Sequence, residues 1–144
     1  MRHAGRRATD EPSAGAPGVI EAVLDASALL ALLNAEPGSE AVATALPDAA
    51  ISAVNLAEVV AKLTDHGLPD AAVREVVARL GLIVMPFEAA DAFAAGLLQP
   101  HTRRLGLSLG DRACLALAMA LDVAAYTADR SWAELDVQVE VVVI

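Results

Sequence analysis

The chain has 144 residues, 56% of them hydrophobic and only 3% aromatic, with a formal net charge of −9 at pH 7. That length suits one domain with a core of Ala, Val and Leu; the single Cys114 excludes an internal disulfide, and with no Cys/His cluster structural zinc is excluded too. Nucleic-acid binders are normally basic, so the charge alone argues against such a substrate, and equally for a site that needs many carboxylates.

Residues 1–18, "MRHAGRRATDEPSAGAPG", hold little to bury and no apolar run of a secretory signal. They read as a disordered, dispensable N-terminal extension, with Val19 a candidate start of translation. A basic arm through Arg2, Arg6 and Arg7 is the alternative. From Val19 onward, seven Lys and Arg stand against seventeen Asp and Glu, a balance of −10. The longest apolar stretch, "ACLALAMALDVAAY", is broken by Asp122 and falls short of the ~20 residues a membrane span needs. A reducing, cytoplasmic setting is the expectation.

"IEAVL" predicts a short buried strand stopping at Asp25, followed by a helix over Ser27–Asn34 by its Leu/Ala spacing. "EPGSEAVATAL" predicts a second helix with Pro37 and Ser39 near its start, and "AAI" at 49–51 a weak strand. Ser52 is positioned to cap "AVNLAEVVAKLTDH", with Gly67 as its stop. Pro69 opens another helix, "LIVM" at 82–85 is a strand closed by Pro86, and "EAADAFAAGLLQ" is a helix ending before Pro100. Ser108 starts the helix "LGDRACLALAMALD", "VAAYT" is a fourth strand, and "VQVEVVVI" a fifth. Strands separated by helices imply an α/β fold with a mainly parallel sheet of about five strands flanked by helices.

Four carboxylates have comparable addresses among apolar or small neighbours. Asp25 follows the first strand, Glu58 lies within "SAVNLAEVV", Asp111 within "SLGDRACLA", and Asp129 within "YTADRSW". Each has a plain structural reading. Asp25 suits a helix N-cap or a solvated loop; Asp111 suits a capping box with Ser108; Asp129 suits a cap on the turn through Arg130, Ser131 and Trp132. Glu58 has no capping role in mid-helix, so an exposed position is its plain reading. Their joint placement near the carboxyl ends of strands is where open α/β sheets bind ligands. Carboxylates gathered in one cleft repel one another, and a hard divalent ion such as Mg²⁺, which prefers oxygen ligands, relieves that. His3, His66 and His101 neighbour none of these acids and read as structural or surface groups; Cys114 and Met119 read as core fillers, and Trp132 as packing beside Asp129.

The blocks "VLDASALLALLNAEPGSE", "ISAVNLAEVVAKL", "LSLGDRACLALA" and "AAYTADRSW", in that order, resemble the PIN-domain ribonucleases, specifically VapC-type toxins of bacterial toxin–antitoxin pairs. The resemblance runs from about Val19 to Ile144 and implies a PIN-like three-layer sandwich over 19–144. It implies Asp25, Glu58, Asp111 and Asp129 as catalytic, metal-binding acids, with Mg²⁺ (or Mn²⁺ as substitute) as cofactor. It further implies endonucleolytic RNA cleavage by a metal-activated water leaving a 5′-phosphate, a VapB-type antitoxin as inhibitory partner, and a homodimer. Ser27 and Thr127 match polar positions that hydrogen-bond near the metal. Two features depart from the pattern: the N-terminal extension, and an acidic balance that leaves Arg103, Arg104, Arg112 and Arg130 as candidate RNA contacts.

Rival readings fare worse. A haloacid-dehalogenase-type aspartyl phosphatase needs a second Asp where Ser27 stands, and a receiver domain needs a lysine after a late strand, whereas the one lysine is Lys62. A PIN-like nuclease acting on DNA and a catalytically silent PIN-like binding domain are the remaining alternatives.

Overall fold

The computed structural model describes residues 19–144, so the expected N-terminal extension and its arginines lie outside the described residues. Five short strands form one sheet: β1 (Ala22–Leu24), β2 (Ala49–Ser52), β3 (Ile83–Met85), β4 (Ala124–Thr127) and β5 (Val141–Val143). Their order is β3-β2-β1-β4-β5, and every pairing is parallel. Parallel neighbours need crossovers. The described residues supply α1 (Ala26–Leu33), α2 (Ser39–Ala45), α3 (Ala53–Asp65), α4 (Asp70–Leu80), α5 (Ala89–Leu97), α6 (Gln99–Thr102) and α7 (Leu109–Leu121).

The period-2 alternation of β1 divides the core. Ala22 and Leu24 join Leu29, Val42, Ile51, Val59 and Val73 in one apolar cluster, under α1–α4. Val23 points the other way, into a cluster with Ala95, Leu115, Ala118, Ala125 and Trp132, under α5 and α7. Helices on both faces of a parallel sheet give the three-layer sandwich.

The chain runs outward through β2 and β3, then returns to place β4 on the other side of β1. The strand order therefore reverses between β1 and β4, and ligands of open α/β sheets bind in the crevice at the carboxyl ends of such strands. Because α1 follows β1 and α3 follows β2, both helices begin at that same edge. So does α7, which descends into β4.

α5 ends at Leu97, before Pro100, as the sequence predicts, and Pro100 sits in the first turn of the short α6, where its missing N–H removes no helical bond. One boundary differs from the sequence expectation. The expected fifth strand over 137–144 is confined to Val141–Val143, which pair with Ala125, Tyr126 and Thr127 of β4. Val137 and Val139, ahead of it, turn onto the second apolar cluster instead.

Candidate active site

Asp25 ends β1 and also caps α1. It is 3% exposed, which rules out the solvated-loop reading. Its Oδ1 accepts from Ala28 N–H and from the Ser27 hydroxyl, each at 2.8 Å, and its Oδ2 accepts from the Thr127 hydroxyl at 2.6 Å. Both hydroxyls accept in turn from the backbone after β4: Ser27 Oγ from Ala128 N–H (2.9 Å) and Thr127 Oγ1 from Asp129 N–H (3.0 Å). Each hydroxyl proton is thus committed to Asp25, so the 3.3 Å approach of Ser27 Oγ to Thr127 Oγ1 is a contact between two acceptors. Burial pushes the Asp25 carboxyl up to about 6, against the opposing effect of Thr127, Ala28 and Ser27 and with a further push from the Asp111 charge.

Asp111, half-buried, makes the capping box its position suggests: its Oδ2 accepts from Ser108 N–H (2.9 Å), and Ser108 Oγ accepts from Asp111 N–H (3.1 Å). Asp129 caps a short 3-10 turn, its Oδ1 accepting from Ser131 N–H and Oγ at 2.9 and 2.8 Å. Glu58 is exposed on α3, yet its position is defined. Its Oε1 accepts from the Asn55 amide at 2.9 Å, and that same amide donates to Gly110 O at 3.0 Å. A Cβ on Gly110 would stand 2.5 Å from both Glu58 carboxylate oxygens, so only glycine lets the carboxylate rest on the first turn of α7.

The four acids surround one cavity of about 250 Å³, together with Ser27, Leu30 and Lys62. Every one of them keeps unused acceptor capacity: a lone pair on Asp25 Oδ2, Glu58 Oε2, Asp111 Oδ1 and Asp129 Oδ2. Among the described residues, however, no three acidic, imidazole or thiol groups converge tightly enough to hold one ion directly. The donors are oxygen-only and ring a shared cavity, which fits an ion that takes one or two carboxylates and keeps several waters.

Asn55 and Gly110 escaped the sequence reading. Asn55, in the first turn of α3, is 1% exposed, its Oδ1 has no partner among the described residues, and a buried amide demands an explanation. Here one donated bond, to Gly110 O, ties α3 to α7, and the other holds Glu58 on its own helix. Arg112 does not present its charge to a ligand, because it is half-buried and donates to Ala95 O at 3.1 Å. Arg104 pairs with Glu134 at 3.6 Å. Cys114 is buried, and burial pushes its thiol well up, so it packs as a small apolar group. Two larger grooves lie away from the acids. One of about 370 Å³ runs between α3 and α4, lined by Leu56, Val60, Val73 and Val77; the other, of about 810 Å³, lies between α5 and α7.

A parallel α/β domain with an acid-lined cavity at the point where its strand order reverses is the class that fold and site define. The chain belongs to the PIN domain family, whose model matches residues 22–138. No curated protein matches it by sequence. Solved structures share the fold at low identity. VapC20 of Mycobacterium tuberculosis, described as a sarcin-ricin loop cleaving toxin, is 21% identical with a TM-score of 0.66, over 79% of this chain and 94% of its own. VapBC2 of Rickettsia felis, bound to a DNA fragment from its promoter, is 16% identical with a TM-score of 0.68, over 87% and 99%. VapBC-1 of nontypeable Haemophilus influenzae is 15% identical with a TM-score of 0.66, over 86% and 98%. Among the described residues no helix is long and apolar enough to cross a membrane.

Proposed function

We propose that this protein is a divalent-metal-dependent endoribonuclease toxin held inactive by a small VapB-type antitoxin. The observation that carries the reading is the meeting of Asp25, Glu58, Asp111 and Asp129 on one cavity at the β1–β4 reversal, each with acceptor capacity to spare. PIN-domain nucleases generally use divalent metals, and the oxygen-only donor set suits Mg²⁺ or Mn²⁺ over zinc. The raised Asp25 pKa supports this, since a cation beside the carboxyl favours the ionised form that burial disfavours.

When bound, such an ion lowers the pKa of water and neutralises charge growing on a phosphodiester. The chain's own groups do the positioning. Ser27 and Thr127 fix both oxygens of Asp25, and the Asn55 amide fixes Glu58. The free oxygens of Glu58 and Asp129, at the exposed side of the cavity, are placed to take the proton of an attacking water. As the new O–P bond forms, the P–O3′ bond breaks and the 3′-oxygen takes a proton from solvent, leaving a 5′-phosphate and a 3′-hydroxyl.

Antitoxin-bound neighbours support the partner. The apolar groove between α3 and α4 suits apolar antitoxin side chains, on the helix that also carries Glu58. An arginine from the antitoxin would pair with the free carboxylate oxygens. A homodimer is part of the same reading.

The test is direct. Purified protein is incubated with structured RNA and with DNA, side by side, in Mg²⁺, Mn²⁺ or chelator, and the new 5′ ends are sequenced. RNA cleavage that needs metal is the expected result. Cleavage of DNA alone would move the substrate to DNA, and no cleavage of either would favour a silent binding domain. Co-expression with the neighbouring small open reading frame, followed by light scattering, reads the antitoxin and the oligomer.

A further inference from the structure

Four carboxylates around a cavity, in a chain of charge −9, repel the phosphodiester they are proposed to cut. Among the described residues most cations are committed elsewhere. Arg74 pairs with Asp70, Arg79 with Glu75 and Arg104 with Glu134, while Arg112 donates to the Ala95 carbonyl. Lys62, Arg103 and Arg130 make no ion pair with any described residue, and of the three only Lys62 lines the acid cavity.

Its freedom has a structural cause. Glu58 and Lys62 stand four residues apart on α3 with Glu on the N-terminal side, the orientation that ordinarily forms an ion pair. None forms, because the Asn55 amide and the space over Gly110 draw the Glu58 carboxylate toward α7. A lysine kept apart from its natural partner, on the wall of an acidic cavity, is available to an anion from outside.

We propose that Lys62 is the phosphate-binding residue of this site, its ammonium gripping a non-bridging oxygen of the RNA backbone at or beside the scissile bond. The proposal rests on the nuclease reading above. Lysine serves here as a point charge, matched to a phosphate that must slide in and leave.

The test uses the full chain as wild type, K62A, K62R and K62E, with unfolding midpoints as control; an exposed helix position should move them little. Cleavage of total RNA in Mg²⁺ gives KM and kcat. Binding of a single-stranded oligoribonucleotide, with Ca²⁺ in place of Mg²⁺, is followed by anisotropy over a KCl series. K62A should raise KM by about tenfold, as for one charge-assisted hydrogen bond partly exposed to water. It should also flatten the slope of log affinity against log salt by roughly 0.7, the share of one single-strand phosphate. K62R should restore most of both, and K62E should exceed K62A in loss. An active wild type whose K62A matches it in KM and salt slope overturns the proposal and leaves the nuclease reading standing. A wild type that neither binds nor cleaves RNA overturns both.

Discussion

Where β1 meets β4, the acid cavity is held by two hydroxyls; where α3 meets α7, it is held by one amide and one absent side chain. The first junction buries its carboxylate. Asp25 is almost sealed off, accepts three hydrogen bonds, and still has its pKa raised to about 6 because desolvation outweighs them. The second junction leaves Glu58 exposed and orders it from beneath through Asn55, with Gly110 making room. Burial at the first junction stores a charge penalty that a cation can release. Exposure at the second stores none, and its precision comes from a contact that is easily removed. The two halves should therefore fail in different ways.

The largest effects are expected at Asp25, in the buried half, and at Asp111 on the first turn of α7. D25N should cut metal-dependent RNA cleavage by at least the roughly 10–100-fold typical of groups around a metal, and D111N likewise, with folded protein in both cases. Full activity in both variants, measured on purified protein, would remove these acids from the site. In chelator the sign for stability is opposite. A carboxyl whose folded pKa lies near 6 and whose unfolded value lies near 3.8 binds more protons when folded. The contribution of Asp25 to wild-type stability should then fall as pH rises from about 4 through about 6, by up to about 3 kcal/mol. D25N should be more stable than wild type at pH 7 by some of that amount, and the advantage should fade toward pH 4. Urea unfolding across the pH range checks both window and sign.

T127V comes next. It removes the Asp25 donor and the acceptor for Asp129 N–H together, and should cost about 1–3 kcal/mol. It should also move the titration of Asp25 higher still, which NMR of the carboxyl carbon reads.

At the other junction, G110A should separate activity from stability. Alanine in a helix gains roughly 0.5–1 kcal/mol over glycine, and the group it displaces is the end of a flexible side chain. The unfolding midpoint should hold or rise while cleavage falls. A G110A protein with full activity would show that the position of Glu58 over α7 does not matter. The smallest effects belong to the surface. Breaking Arg74–Asp70 or Arg79–Glu75, both highly exposed, should shift stability by less than about 0.5 kcal/mol.

How far the sequence could be read follows the same division. Val, Ile and Ala runs marked the strands, and Ser52, Ser108 and Gly67 marked helix ends, because those signals act within a few residues. Asp25, Asp111 and Asp129 could be picked out because each follows or opens an element at the same edge of the sheet, and Glu58 because it is a carboxylate in mid-helix with no capping role. Their capping roles and their shared cavity turned out not to compete: Asp25 and Asp111 do both. Asn55 and Gly110 were illegible, since each is explained only by a partner some 55 positions away. Arg112 looked like a free cation for the same reason, its acceptor being a carbonyl on α5. The shortened β5 follows from Val137 and Val139 packing onto the second apolar cluster, which no pattern within residues 137–144 encodes.

The bond from Thr127 to Asp25 joins residues 102 positions apart. A ribosome making this chain exposes Asp25 and Glu58 long before, and Asp111 shortly before, the hydroxyl and the last carboxylate that complete the cavity. Until β4 emerges and slots in beside β1, the nascent polypeptide carries three of the four acids without the hydroxyl that fixes Asp25 Oδ2. Synthesis order thereby makes the pairing of β4 with β1 the step that closes the cavity.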